Sequence, residues 1–202
     1  MAEHIDRTRL LTNLRYNFDY ISKFLNFTKD DINTLNSLAP ILFPRISSIV
    51  ETVYKKLYSF DITKQYFVRR NDDFEVFSSN TESNGTILSA QTDFRKDMLS
   101  IYLKRILIQS EWNDAFLQFL SHVGELHGKN QNSQSINVDY IHVNALLGYL
   151  EHLILDTIWN IENMDIKKKR DSIRTINKFF WIQNHFFTMH YGISLKDTTN
   201  NK

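Results

Sequence analysis

Between Val138 and Ile161 the sequence offers a helix with almost no polar face. Ile141, Val143, Ala145, Leu146, Leu147, Leu150, Leu153, Ile154 and Ile158 point nearly all round its axis. Such a helix must be covered on most sides, which places it at the centre of a helical bundle. The punctuation of the chain agrees. Five Gly and two Pro in 202 residues are too few for a sandwich or barrel with many tight turns. The length suits one domain, or one domain with an extension. Fifteen Phe and nine Tyr imply wide interiors between elements. No run approaches the 18 apolar residues of a membrane span. The expected class is all-α.

The other helices are read from periodicity. Leu10, Leu11, Leu14, Phe18, Ile21 and Leu25 make residues 5–25 a leading helix. Thr28 and Asp31 form a capping box that opens a short helix through Leu38. Pro40 and Pro44 punctuate the next segment, Pro44 sitting in a first turn where its missing N–H costs nothing. Ile46, Ile49, Val50, Val53, Tyr54 and Leu57 then fall at offsets 0, 3, 4, 7, 8 and 11. After a break at residues 60–63 a short helix is expected around 64–70, then a polar loop over 71–88. Helical spacing returns through Phe94, Met98, Leu99, Tyr102, Leu103, Ile106 and Leu107. Trp112, Phe116, Phe119, Leu120, Val123, Leu126 and His127 occupy offsets 0, 4, 7, 8, 11, 14 and 15 of a helix over 110–128. Ser110 is its expected N-cap and Gly128 its left-handed C-cap. A polar loop runs from there to Asn137. Residues 165–191 close the fold, and the last ten form a loose tail. The total is seven or eight helices and no strand.

Composition and motifs exclude much. Absent cysteine removes disulfides, thiolate haem ligation, zinc fingers and cysteine nucleophiles. A net charge of +1 implies no nucleic-acid or membrane field. MAEHIDRTRL carries charges where a secretory leader has an apolar run, so the expected compartment is cytoplasmic. Paired Glu-x-x-His motifs, His-Glu-x-x-His, the Gly-x-Ser-x-Gly elbow, the Walker loop and the dinucleotide glycine fingerprint are all missing. His122 leans to a helix flank, His142 reads as a core histidine, and the basic run at 167–170 reads as a solvated helix face.

Two residues remain. His127 ends an apolar stripe, so its imidazole needs a hydrogen-bond partner or a metal. Tyr54 faces inward on another helix, where a phenol must place its hydroxyl against a partner. Each has an ordinary structural reading: a core histidine at a helix C-terminus, and a tyrosine whose tip reaches the rim or a carbonyl. Together they also provide what a flat apolar cofactor needs: one axial imidazole, one opposing donor, and Phe and Leu walls. Haem is the natural candidate, and pattern alone leaves both readings open.

The segments FTKDDINTLNSLAPIL, VYKKLYSFDIT, FRKDMLSIYLKRIL, HVGELHG, YIHVNALLGYLEHLIL and NHFFTMHYG occur in that order from Phe27 almost to the end of the chain. In order and spacing the chain resembles protoglobins and the globin domains of globin-coupled sensors. The resemblance implies a globin-like helical fold with an extra N-terminal helix. It divides the chain into an extension helix over 1–26, a haem domain over 27–192 and a flexible tail over 193–202. It also implies haem b, with its iron on His127 and Tyr54 as distal hydrogen-bond donor. Leu99 or its neighbour Met98 matches the apolar residue over the distal face, and Leu146 and Leu150 match positions lining the haem. One position departs from the pattern: protoglobins carry tryptophan just before the distal tyrosine, where this chain has Val53.

The implied function is reversible binding of dioxygen or a related diatomic gas, as carrier, scavenger or sensor, rather than enzymatic turnover. The expected partners are the gas, a second copy through the C-terminal helices as is common in the family, and, for a sensor, a separate signalling protein, since the tail has no room for an output module. No nucleic acid or membrane is expected. The alternatives are a haem-free interaction module on a globin scaffold, or haem-dependent peroxidase or nitric-oxide dioxygenase chemistry. For the haem reading, the second ring nitrogen of His127 needs an acceptor, expected to be a carbonyl one turn back or nearby.

Overall fold

Asp6 and Asn13 start the first two helices. The Asp6 carboxylate accepts from the N–H groups of Thr8 and Arg9 and caps α1 (Arg7–Thr12). The Asn13 side chain accepts from Tyr16 N–H and caps α2 (Leu14–Leu25). The leading helix expected over 5–25 is therefore two, because Asn13 is extended (φ −124°, ψ 106°) and serves as the C-cap of one and the N-cap of the next. The computed structural model describes residues 2–68, 83–128 and 137–192. Among these, eight α-helices occur and no strand. The loops expected over 71–82 and 129–136 and the tail over 193–202 lie outside the described residues.

The chain forms two compact units, one of residues up to Leu35 with those from Gln109 onward, the other of Asn36–Ile108. In the first unit, α8 (Ile166–His190) packs against α6 (Asp114–His127) and α7 (Tyr140–Trp159), and α2 packs on α6 and α8. The helix expected at the centre was α7, yet it buries a single stripe of Val143, Leu147, Leu150, Ile154 and Ile158, while Ile141 is 71% exposed. The more deeply covered helix is α8, with Ile176, Phe179, Phe180, Ile182, Phe186 and Phe187 all buried. Its buried polar residues disguise this in the sequence. Gln183 is fully buried and donates to Leu120 O, and Thr175 donates to Asp31 Oδ1 at 2.8 Å.

Two clusters brace this unit. Trp112 lies among the rings of Phe27, Phe116, Phe18 and Phe179, with centroids 4.7–6.2 Å away. It precedes α6 rather than opening it. The N-cap of α6 is Asn113, whose side chain accepts from Phe116 N–H; the expected cap, Ser110, instead offers its carbonyl to Lys29 Nζ. The second cluster surrounds Asp31. Thr28 N–H donates to Asp31 Oδ2 at 2.8 Å, the reciprocal half of the expected capping box. The same carboxylate receives Lys178 Nζ at 2.9 and 3.0 Å, and Lys178 also donates to Asn26 O, where α2 ends in a left-handed residue.

Helix α3 (Lys29–Tyr58) begins in the first unit and continues in the second. It runs through Pro40 and Pro44, where the sequence suggested a break. Each proline removes a hydrogen bond and crowds the carbonyl four residues back, at about 3 kcal/mol. Both are exposed and four residues apart, so they share the outward face. Leu38, Leu42, Ile46, Ile49, Val50 and Val53 are buried, each contributing roughly 1.5–3 kcal/mol. That sum outweighs two prolines, and the helix persists.

The second unit is completed by α4 (Asp61–Val68) and α5 (Ser83–Ile108). Helix α5 starts at Ser83, so residues 83–88, expected as part of a polar loop, are helix. It is tied to α3 by Tyr58 with Thr92 Oγ1, Lys96 to Glu51 at 2.8 Å, and Asn36 to Leu107 O at 3.0 Å. Tyr102, Leu103, Ile106 and Leu107 form its buried stripe, while Phe94, Met98, Ile101 and Ile108 are exposed. Among the described residues no helix is long and apolar enough to cross a membrane.

Candidate functional site

His127 is the last residue of α6 and is half-buried. Its Nδ1 lies 2.8 Å from Val123 O, the carbonyl one turn back. A carbonyl only accepts, so Nδ1 carries the hydrogen, which in the neutral ring leaves the lone pair on Nε2. Phe187 meets the imidazole edge-on, with centroids 5.4 Å apart and planes at 76°. Ring orientation and tautomer are thus both set by the protein.

The end of α6 differs from expectation. Gly128 is extended (φ −70°, ψ 167°), so no left-handed cap forms; its N–H goes to Gly124 O and Glu125 O at 3.1 Å each. The reason for glycine here is space. A Cβ at Gly128 would lie 3.2 Å from His190 O, and one at Gly124 would lie 2.9 Å from both Phe186 O and His190 Cδ2. The two glycines let the last turns of α8 lie directly against α6. His190 Nε2 pairs with Ser121 Oγ at 2.9 Å. Burial holds its pKa below the ordinary histidine value, although Glu125 opposes this. His122 stands on the exposed flank, as its position suggested, and pairs with Glu125 at 3.1 Å.

The carbonyl of His127 is held from outside the helix. Val138 N–H donates to it at 3.2 Å and the Tyr191 hydroxyl at 2.6 Å. On α7, Leu150 is buried and Leu146, one turn earlier on the same face, is half-buried. His142 is half-buried on the same helix.

In the second unit Tyr54 is 7% exposed and its predecessor Val53 fully buried. The Tyr54 ring meets Phe67 edge-on at 5.8 Å, and Lys96 Nζ lies 6.0 Å from its centroid. Burial, with a smaller contribution from Tyr58 and against the charge of Arg95, pushes its hydroxyl well above the ordinary phenol value. It is therefore a protonated donor at any physiological pH, and it makes no hydrogen bond among the described residues. Met98 and Leu99 are adjacent on α5 and so point about 100° apart; Met98 is exposed and Leu99 half-buried.

The first unit thus carries His127, Leu146 and Leu150, and the second Tyr54, Met98 and Leu99. Sequence reasoning missed Phe187, Tyr191 and the glycine pair as parts of the His127 environment. A usable signal existed: Phe180, Gln183, Phe187 and Tyr191 fall at offsets 0, 3, 7 and 11, one face of α8. Among the described residues no group of three or more His, Asp or Glu side chains could hold a metal ion. An imidazole oriented through Nδ1, as at His127, is the kind of donor that haem iron takes from a protein.

The architecture is that of a globin. It superposes on the globin domain of the Geobacter sulfurreducens globin-coupled sensor with a TM-score of 0.64, over 86% of this chain and 96% of that one, at 15% sequence identity. No curated protein sequence matches the chain. The protoglobin family model matches residues 14–196, and the chain belongs to the protoglobin family, a group of globin-type gas-binding domains.

Proposed function

We propose that this protein is a haem-binding globin that reversibly binds dioxygen or a related diatomic gas, as carrier, scavenger or stand-alone sensor. The observation that carries the proposal is the Nδ1–H bond of His127 to Val123 O, which commits Nε2 as the nitrogen able to serve as axial ligand. Haem b, when bound, would supply an iron with one coordination position open to a diatomic ligand. His127 would hold the iron, Leu146, Leu150 and Leu99 or Met98 would line the ring, and Tyr54 would present its O–H to the gas. Residues 27–192 would form the haem domain, preceded by an extension over 1–26.

Each residue has a definable task. Phe187 keeps the imidazole from rotating about its Cβ–Cγ bond by packing against the ring edge. Val123 O raises the basicity of the opposite nitrogen by accepting from Nδ1. Burial keeps Tyr54 protonated and so a donor rather than an anion competing for the metal. The fully buried Val53 fills the position of the family tryptophan with less volume, leaving Tyr54 beside a smaller neighbour.

The test is an absorption spectrum of the purified protein titrated with haemin. The expected result is a Soret band saturating at one haemin per chain, which moves on reduction and again with carbon monoxide. His127→Ala should lose the histidine-ligated spectrum and much of the affinity. No Soret band at stoichiometric haemin, or an unaltered five-coordinate histidine spectrum in His127→Ala, overturns the proposal.

A further inference from the structure

We infer that Tyr191 is a positioning residue for the axial histidine, its hydroxyl holding the His127 backbone so that the last turn of α8, rather than a cap of α6 itself, sets where the imidazole stands. The inference rests on His127 being the haem ligand as proposed above. Its starting point is an orphan. The last carbonyls of any helix have no intrahelical donor and are commonly served by a left-handed glycine turn. The Gly128 N–H serves Gly124 O and Glu125 O, so His127 O, one of the last carbonyls of α6, is left to groups outside the helix.

Those groups come from two distant parts of the chain. Val138 N–H reaches His127 O at 3.2 Å, and the Tyr191 hydroxyl reaches it at 2.6 Å. The same hydroxyl lies 2.6 Å from Val138 O. One hydrogen is therefore shared between two carbonyls, one at each end of the 128–138 connection. Tyr191 is itself held. The Tyr140 ring packs on it at 5.3 Å, and the Tyr140 hydroxyl donates to Asn184 Oδ1 at 2.8 Å on α8.

Tyr191 comes four residues after Phe187, so both project from the same side of α8. One contacts the ring of His127 and the other its carbonyl. The glycine contacts make the arrangement stiff, since the α8 backbone abuts Gly124 at Phe186 O and Gly128 at His190 O, with the His190 ring also against Gly124. The His127 backbone and ring are thus both coupled to the end of α8, through Tyr191 and Phe187.

Tyr191→Phe removes the hydroxyl and keeps the ring against Tyr140. In the full chain without haemin, amide exchange at Val138 should quicken about three- to tenfold, the effect of losing one hydrogen bond to its acceptor. In the haemin-loaded, ferrous protein the iron–histidine stretching band in the resonance Raman spectrum should shift or broaden beyond the wild-type line, with haemin affinity within about threefold of wild type. Asn113→Ala, which removes the cap at the opposite end of α6, serves as the control for a merely structural effect; it should lower stability while leaving both readouts in place. Unchanged exchange at Val138 and an unchanged band in Tyr191→Phe, or equal changes in Asn113→Ala, refute the inference. If wild type and His127→Ala give the same haemin spectrum, the haem reading fails. The hold of Tyr191 on the His127 carbonyl is then still judged by the exchange measurement alone.

Discussion

Replacing Asp31 by Asn isolates the strongest polar contact in the first unit. The Asp31 side chain is 9% exposed and that of Lys178 20%, and they meet at 2.9 Å. Asparagine keeps the shape and one acceptor, but it leaves the Lys178 ammonium largely buried without its counter-ion. Removing one partner of a buried pair costs about 3–5 kcal/mol. The Lys178 ammonium keeps Asn26 O at 2.6 Å and its side chain is 20% exposed, which places Asp31→Asn near the low end, about 3 kcal/mol. For a chain of this size that is a fall of about 6–12 °C in Tm.

The pH dependence arises from the same contacts. Burial by itself would raise the Asp31 pKa, but the bonds from Lys178, Thr28 N–H and Thr175, with the Lys178 charge, together hold it below the ordinary carboxylate value. A carboxyl depressed in the folded state contributes its full stability above the unfolded pKa of about 3.9 and loses it as pH falls through the folded pKa. Thermal unfolding followed by circular dichroism should show the full gap between wild type and Asp31→Asn at pH 7. The gap should narrow as pH drops below about 4. Equal midpoints at pH 7, or a gap that widens in acid, refute the reasoning.

Two further substitutions address the site. Tyr54→Phe removes a buried donor worth on the order of 1.5–3 kcal/mol when it meets a developing charge. Dioxygen should therefore leave about tenfold faster or more, with a much smaller change for carbon monoxide; stopped-flow or flash-photolysis rates unchanged for dioxygen would remove Tyr54 from the site. Gly124→Ala gains about 1 kcal/mol of helix propensity. It also places a methyl 2.9 Å from Phe186 O, a backbone atom that moves only with α8. Overpacking of about 1–3 kcal/mol should exceed the gain, so the expected result is a lower unfolding midpoint, and a raised one would show that α8 yields freely.

Periodicity located most helices because a repeat of three to four residues is a local property. The stripe ending in His127 and that containing Tyr54 both emerged from it, and the carbonyl one turn back from His127 comes from helix geometry alone. Helix ends and helix environments are different. Ser110 and Asn113 are both acceptable N-caps by residue type, and only the burial of Trp112 against Phe27, Phe18 and Phe179 moves the start of α6 to Asn113. Pro40 and Pro44 are strong local breakers, overruled because the stripe from Leu38 to Val53 is buried without interruption. The rank of α7 and α8 was inverted because hydropathy does not register that Thr175 and Gln183 find partners inside.

The helical class, the order of the segments and the placing of an imidazole and a phenol on inward faces were written in the chain, since each depends on residues within a few turns of one another. The family pattern added the expectation that His127, one of seven histidines, holds a haem iron. What tertiary structure decided was the surrounding of that histidine. Phe187 lies 60 positions after His127 and Tyr191 lies 64, and no local pattern links such residues. Gly128 was expected to cap α6 in left-handed backbone; it does cap the helix, but in extended backbone, and a glycine suits it because α8 passes close by. The same residue type answers both demands, and only the position of the neighbouring helix distinguishes them.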